Sequence, residues 1–463
     1  MSNNTRHELS ALLRLAGPLV AAQLAHVLMV FTDTVMMGLL GPAALAAGAL
    51  GAASYNLVSI FCVGVMAAVG NLVAIRHGAG DGDGVRHMTQ AGIWVAAGLA
   101  LLAGILLWWM APLLHLAGQQ AENISGAMTF LHSLVFALPG YLLFMALRGF
   151  TSALGRPGPV LAISLGGALL NFVLNYALIK GLFGLPQIGL AGIGLVTAIV
   201  MNGMALMLAL HIRWQPFYRP WPLLTGLLRP TRRNLAENLR LGLPIGGTYV
   251  VESGLFFVAA LCMGALGSTQ LAAHQIAIQA VYVVFMVPVG ISYAASLRIG
   301  KHYGAQHWHA ARQTGRLAIG LGAACMLAFA LLFWLAPHWV IGLFLDRADA
   351  GNQAIIELAV SLLAIAAWFE LFDGLQTIAM GAIRGLKDAR TTLLVGLFCY
   401  WGIGAPAAWL LTFTLGWGAE GVWWGLAIGL ASAAIGLTLS FEAKTARLLG
   451  CKSTQDDKLA NSA

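Results

Sequence analysis

The chain has 463 residues, of which 59% are hydrophobic and only 9% charged, and its formal net charge is +8 at pH 7. Apolar runs long enough to cross a bilayer follow one another along it, which excludes a soluble enzyme. No basic domain lies outside those runs. The positive balance therefore reads as an orientation signal and an attraction to anionic headgroups, with membrane lipids as partners and no nucleic acid.

A crossing helix needs about 20 mostly apolar residues. Windows between charged or Gly/Pro breaks predict twelve spans, at 12–38, 52–75, 88–111, 127–150, 159–181, 189–213, 241–266, 277–300, 316–340, 355–382, 391–415 and 420–443. The expected fold class is an all-α polytopic membrane protein. An even number of spans puts both termini on one side. Lysine and arginine collect there, leaving only Lys180 and Arg347 opposite, so both termini are expected in the cytoplasm. The opening MSNNTRHELSALLRLAGPLV shows no signal-peptide cleavage pattern, and its apolar run is expected to remain as a span. Residues 448–463 are expected to be a mobile cytoplasmic tail. The five cysteines fall in predicted spans or in that tail, which implies no disulfide framework.

The segment LRLAGPLVAAQLAHVLMVFTDTVMMGLLG at 13–41 returns as LRLGLPIGGTYVVESGLFFVAALCMGALG at 239–267. Pro18 falls on Pro244, Gly38 on Gly264 and Gly41 on Gly267, and later segments match with small insertions. The chain is thus expected to comprise a first lobe at 1–213, a linker at 214–240, a second lobe at 241–447 and the tail. Six spans per half make parallel copies related by an axis along the membrane normal, the transporter plan of two lobes around a central cleft. The stretch from 213 to 240 carries four prolines and six arginines. It either lets two lobes rock, with an amphipathic stretch on the inner leaflet, or merely fixes topology.

Ionisable residues inside apolar spans are functional candidates, because an unpaired charge in hydrocarbon costs several kcal/mol. Four carboxylates qualify: Asp33, Glu252, Glu370 and Asp373. Asp33 belongs in the outer half of its span, on a face shared with Gln23 and His26. Asn171 and Asn175, one turn apart, and Thr197 offer oxygens to it, although the asparagines could equally serve as interhelical hydrogen-bond glue. In the second half Ala259 stands where Asp33 would be, while Glu252 takes the position of His26. Pro244, Thr248, Glu252 and Phe256 line one helical face, and Pro18 and Pro244 are expected to bend their helices. Phe369, Asp373, Gln376 and Thr377 share another face, with Glu370 one turn before Asp373. Glu252, Phe256, Phe369, Glu370, Asp373 and Gln376 are the candidate substrate contacts. Two carboxylates in one dry site cannot easily both be ionised, so the pair could exchange a proton or cation with substrate. HYGAQHWH at 302–309 reads as an interfacial loop and not a metal site, and GAGDGDG at 78–84 as a turn. No loop holds a catalytic constellation, so neither enzyme activity nor a cofactor is expected.

The GP or LP of the first span in each half, FTDTVMMGLLG, AAHQIA after span seven and FDGLQTIAMGAIRGLKDAR together resemble the multidrug and toxic compound extrusion (MATE) transporters, in their NorM-like bacterial branch. The resemblance runs from about residue 8 to 447 and implies a V-shaped pair of six-helix lobes. It implies alternating access and secondary active export of cationic amphiphilic drugs by antiport with H⁺ or Na⁺, from a monomer in the bacterial inner membrane. It places one coupling site on Asp33, Asn171, Asn175 and Thr197, and pairs Glu252 with Asp373 as the other. Some members carry tyrosine where Phe369 stands, and the missing hydroxyl favours H⁺ over Na⁺. A lipid-linked saccharide flippase of the broader superfamily is the alternative. Such a protein should carry several embedded basic residues, whereas those counted here are nearly all acidic.

Overall fold

The structure, a computed structural model, describes residues 3–184, 187–228, 231–346 and 349–460. Arg347, one of the two cations expected on the far side, lies outside them. The described residues contain no strand. The first half comprises α1 (Asn3–Leu39), α2 (Pro42–Gly78), α3 (Gly82–Trp108), α4 (Ala111–Leu116), α5 (Ala121–Leu134), α6 (Ala137–Ala153), α7 (Gly158–Lys180) and α8 (Gly189–Trp214). The second comprises α9 (Arg232–Leu266), α10 (Ser268–Gly304), α11 (Trp308–Leu335), α12 (Pro337–Ile341), α13 (Gln353–Gly385), α14 (Arg390–Leu397), α15 (Ala405–Trp409) and α16 (Gly418–Ala460). Eleven helical stretches are long and apolar enough to cross a membrane, and α5 with α6, bent by 48° at their junction, makes a twelfth. The eleventh span is irregular: π-helical turns at Phe398–Gly404 and Leu410–Thr414 flank α15.

Several helices outrun the windows that hydropathy gave them. The second begins at Pro42 and not 52, the seventh at Arg232 and not 241, and the eighth at Ser268 and not 277. Alanine-rich flanks such as PAALAAGALG lower mean hydropathy yet propagate a helix well, and proline at its first position costs no hydrogen bond. The helix then stops at a glycine. Gly41 and Gly267 hold φ of 111° and 140°, a conformation that side chains rarely adopt, and they join α1 to α2 and α9 to α10 with almost no loop. At the other end α16 continues to Ala460, past the expected start of the tail.

Contacts divide the chain into two compact units, Ala21–Gly246 and Met1–Val20 with Gly247–Ala463. The borders are not those expected from the repeat at 213 and 241. They fall inside α1 and α9, two residues beyond Pro18 and Pro244. The segment expected as a separate linker is part of the first unit: Gln90 of α3 donates to the carbonyls of Leu223 and Thr225 at 2.8 and 2.9 Å, and Trp94 donates to Leu227 at 2.7 Å. Arg156 lies 4.6 Å from the centroid of the Phe217 ring.

Each unit secures a helical segment supplied by the other half of the repeat. In the first unit Arg76 pairs with Glu237 at 3.1 Å, and a Cβ added to Gly64 of α2 would lie 2.6 Å from the Cα of Gly246. In the second, Arg298 pairs with Glu8 at 2.6 Å, and a Cβ on Gly290 of α10 would lie 2.8 Å from the Cα of Val20. Gly64 and Gly290 are repeat equivalents, as are Val20 and Gly246. Only hydrogen fits at these crossings. Gly290→Ala should therefore cost about 1–3 kcal/mol by overpacking and lower the thermal midpoint of the purified protein. Gly203→Ala, whose Cβ would meet nothing within 4 Å, should leave the midpoint unchanged or raise it.

Candidate functional site

In the first unit the sequence-predicted residues converge. Asp33 of α1 accepts at Oδ1 from the side-chain amides of Asn171 (3.2 Å) and Asn175 (2.8 Å) on α7, and at Oδ2 from the hydroxyl of Thr197 on α8 at 2.8 Å. One turn of α7 separates the asparagines, so both amides reach the same oxygen. The two asparagines are fully buried, and their carbonyl oxygens find no hydrogen-bond partner among the described residues. The cluster thus combines a carboxylate, a hydroxyl and two uncommitted carbonyl oxygens, a donor set suited to a proton or a hard cation. Gln23 and His26 meet a different helix. Arg148 of α6 donates to Gln23 at 2.7 Å, and the His26 ring stacks on Tyr141 with centroids 5.4 Å apart.

In the second unit Gln376 organises the site. Its amide nitrogen donates to Oε1 of Glu252 on α9 at 2.8 Å and to Oδ1 of Asp373 at 3.0 Å, bridging two carboxylates. The Tyr400 hydroxyl, presented by the π turn of span eleven, donates to the Gln376 carbonyl oxygen. Phe369 is buried between Phe256 and Trp423, at centroid distances of 5.9 and 5.4 Å. Glu370 is also fully buried, and neither of its oxygens has a hydrogen-bond partner among the described residues.

The family model for MatE matches residues 18–177 and 244–410, which include Asp33, Asn171 and Asn175 of the first cluster and Glu252, Asp373, Gln376 and Tyr400 of the second. The chain belongs to the MatE family. It is 68% identical over 449 residues to the probable multidrug resistance protein NorM of Pseudomonas aeruginosa, covering 97% of this chain and 92% of the relative. It is 41% identical to the multidrug resistance protein NorM of Burkholderia vietnamiensis, covering 94% of each. Among solved structures, a MATE transporter in complex with MaL6 superimposes with a TM-score of 0.88 at 20% identity, covering 97% of this chain and all of that one. The eukaryotic MATE transporter AtDTX14 gives 0.84 at 21% identity, covering 96% and 99%. These likenesses show the fold. The chain is a multi-pass membrane transporter and not an enzyme.

Three features of this MatE site were not found from the sequence. Tyr400 supplies a hydroxyl to the second cluster from another helix, so the absence of one at Phe369 no longer argues for H⁺ by itself. The other two are arginines. Arg148 and Arg384, which the charge pattern places with the cytoplasmic cations, are 7% and 4% exposed within α6 and α13. The embedded ionisable groups are therefore less uniformly acidic than expected. The signal was present as LRGF at 147–150 and IRGL at 383–386, a repeat within the repeat. Gln376→Leu should lower the thermal midpoint by removing the donor shared by Glu252 and Asp373 and the acceptor of Tyr400. Each buried polar group left without a partner costs about 1–3 kcal/mol, and a midpoint equal to wild type would show that the bridge carries no stability.

Proposed function

We propose that this MatE protein exports cationic amphiphilic small molecules in exchange for H⁺, exposing its two carboxylate clusters alternately to the two sides of a bacterial cytoplasmic membrane, with both termini in the cytoplasm. The names of its relatives, multidrug resistance proteins NorM, support export of several small molecules, and the buried carboxylates support cations among them. The single observation that carries coupling is the Gln376 amide shared by Glu252 and Asp373. Two negative charges brought this close in an apolar setting repel, and either a proton or a cationic substrate relieves that repulsion. The two ligands then compete for the same charge. Asp33, wrapped by donors that neutral groups supply, is the first unit's coupling carboxylate. Na⁺ is the alternative ion, favoured by the uncommitted carbonyl oxygens of Asn171 and Asn175.

Cells producing the protein should accumulate less ethidium, and Asp33→Asn and Asp373→Asn should each abolish most of that export while the protein remains inserted. Glu122→Gln, outside both clusters, should export normally. Unchanged accumulation across several cationic dyes, with membrane expression verified, would defeat the export reading.

The sign of the pH effect follows from competition. A proton on Glu252 or Asp373 removes counter-charge from a bound cation, so ethidium affinity should weaken as pH falls and ethidium addition should release protons, by reciprocal linkage. Glu252→Gln should flatten both responses. Affinity indifferent to pH, together with Na⁺-dependent release of the dye, would assign coupling to Na⁺.

A further inference from the structure

Arg148 and Arg384 are each the arginine of an Arg-Gly pair in the fourth span of its half, Arg384 standing one turn nearer the end of its helix than Arg148. Their partners, by contrast, are equivalent. Arg148 donates to Gln23 at 2.7 Å, and Arg384 donates to the hydroxyl of Tyr249 at 2.8 Å. Tyr249 stands in the second half where Gln23 stands in the first, each five residues beyond the proline of its helix. Arg384 further donates to Ser292 Oγ and to the Met380 carbonyl, both at 3.2 Å, and its guanidinium lies over the Tyr249 ring. These acceptors are all neutral oxygens. A guanidinium keeps its planar fork of donors even when buried, so bonds of this kind fix direction.

The position of these bonds along each helix gives them a role. Pro18 and Pro244 have no N–H, so the carbonyls of Arg14 and Arg240 lose their helical partners and each helix is weakest there. The contact units change two residues further on, at Val20 and Gly246. The arginine bond falls at the first following turn, and one turn beyond it come His26 and Glu252. The same pattern repeats at that level, where His26 stacks on Tyr141 of α6 and Glu252 bonds Gln376 of α13.

We propose that Arg384 and Arg148 are positioning residues, pins that clamp the segment beyond each proline to its own unit so that movement at the proline is delivered to Glu252 and His26 without being lost as local bending. For Glu252 this rests on the coupling reading above. The pin acts on transport more than on resting affinity, because its task is to carry the carboxylate through a change of exposure.

The test compares Tyr249→Phe, Arg384→Met and Arg384→Lys with wild type, measuring ethidium Kd in detergent and ethidium turnover in proteoliposomes under an imposed pH gradient. Tyr249→Phe keeps the ring and removes only the acceptor, so it should fold. Turnover should fall about tenfold in Tyr249→Phe and Arg384→Met, the scale of one hydrogen bond to a charged group, with Kd nearly unchanged. Arg384→Lys, which retains a cation for one oxygen, should recover part of the turnover. Gln23→Leu should show the same split from the first unit. Wild-type turnover in both Tyr249→Phe and Arg384→Met overturns the pin. So does a matched loss of affinity and turnover that tracks a lowered thermal midpoint, the mark of a structural side chain. Failure of the coupling reading shows separately, as wild-type ethidium affinity that does not respond to pH or to Glu252→Gln.

Discussion

An ionisable side chain within an apolar helix bundle needs partners that water cannot supply, and both clusters are arranged around that need. Asp33 obtains three donors from two neighbouring helices. Glu252 and Asp373 divide one amide between them, and the carbonyl of that amide is in turn engaged by Tyr400. The first arrangement gives one buried carboxylate hydrogen bonds from neutral donors only. The second leaves two charges under-compensated, and under-compensation makes a site responsive to a proton or a cation.

Duplication explains why one scaffold carries both arrangements. The glycine turns, the prolines and the glycine crossings keep their positions, because backbone approach at Gly64 and Gly290 admits no other side chain. The polar residues on that scaffold were free to differ. An imidazole stacked on a tyrosine in one half becomes a carboxylate bonded to an amide in the other, and the acidic residue of the first half has Ala259 as its counterpart in the second. Geometry was inherited and charge was redistributed.

Much of this was legible in the sequence. The cost of buried charge marks Asp33, Glu252 and Asp373, and helical spacing puts Asn171 one turn from Asn175 as possible partners of the first. The grouping of Asp33 with Asn171, Asn175 and Thr197, and of Glu252 with Asp373, is what the resemblance to the MATE transporters implies. The unit borders were not legible, because sequence similarity marks where a repeat begins and not where a helix changes neighbours. Arg384 falls outside its window because a hydropathy window ends at a charge whether or not the helix does, and Arg148 stands so near the end of its window that it counts with the cytoplasmic cations. Tyr400 was overlooked for a different reason. A π turn breaks the 3.6-residue period, so no face could be drawn through it from spacing alone.

That irregular stretch of span eleven also bears on how the chain can change length. A π turn is a helical turn holding one residue more than the surrounding α geometry uses, and Phe398–Gly404 carries Tyr400 on such a surplus. Losing one residue there would return the segment to an ordinary helix with its flanks in register, but would rotate the hydroxyl off Gln376. The same loss inside α13 would turn everything after it by about 100°, dismantling the second cluster outright. Single-residue insertions and deletions are thus tolerable to the backbone of this helix where they are fatal in its neighbour, and the phenol is the part of the site most readily gained or lost by them.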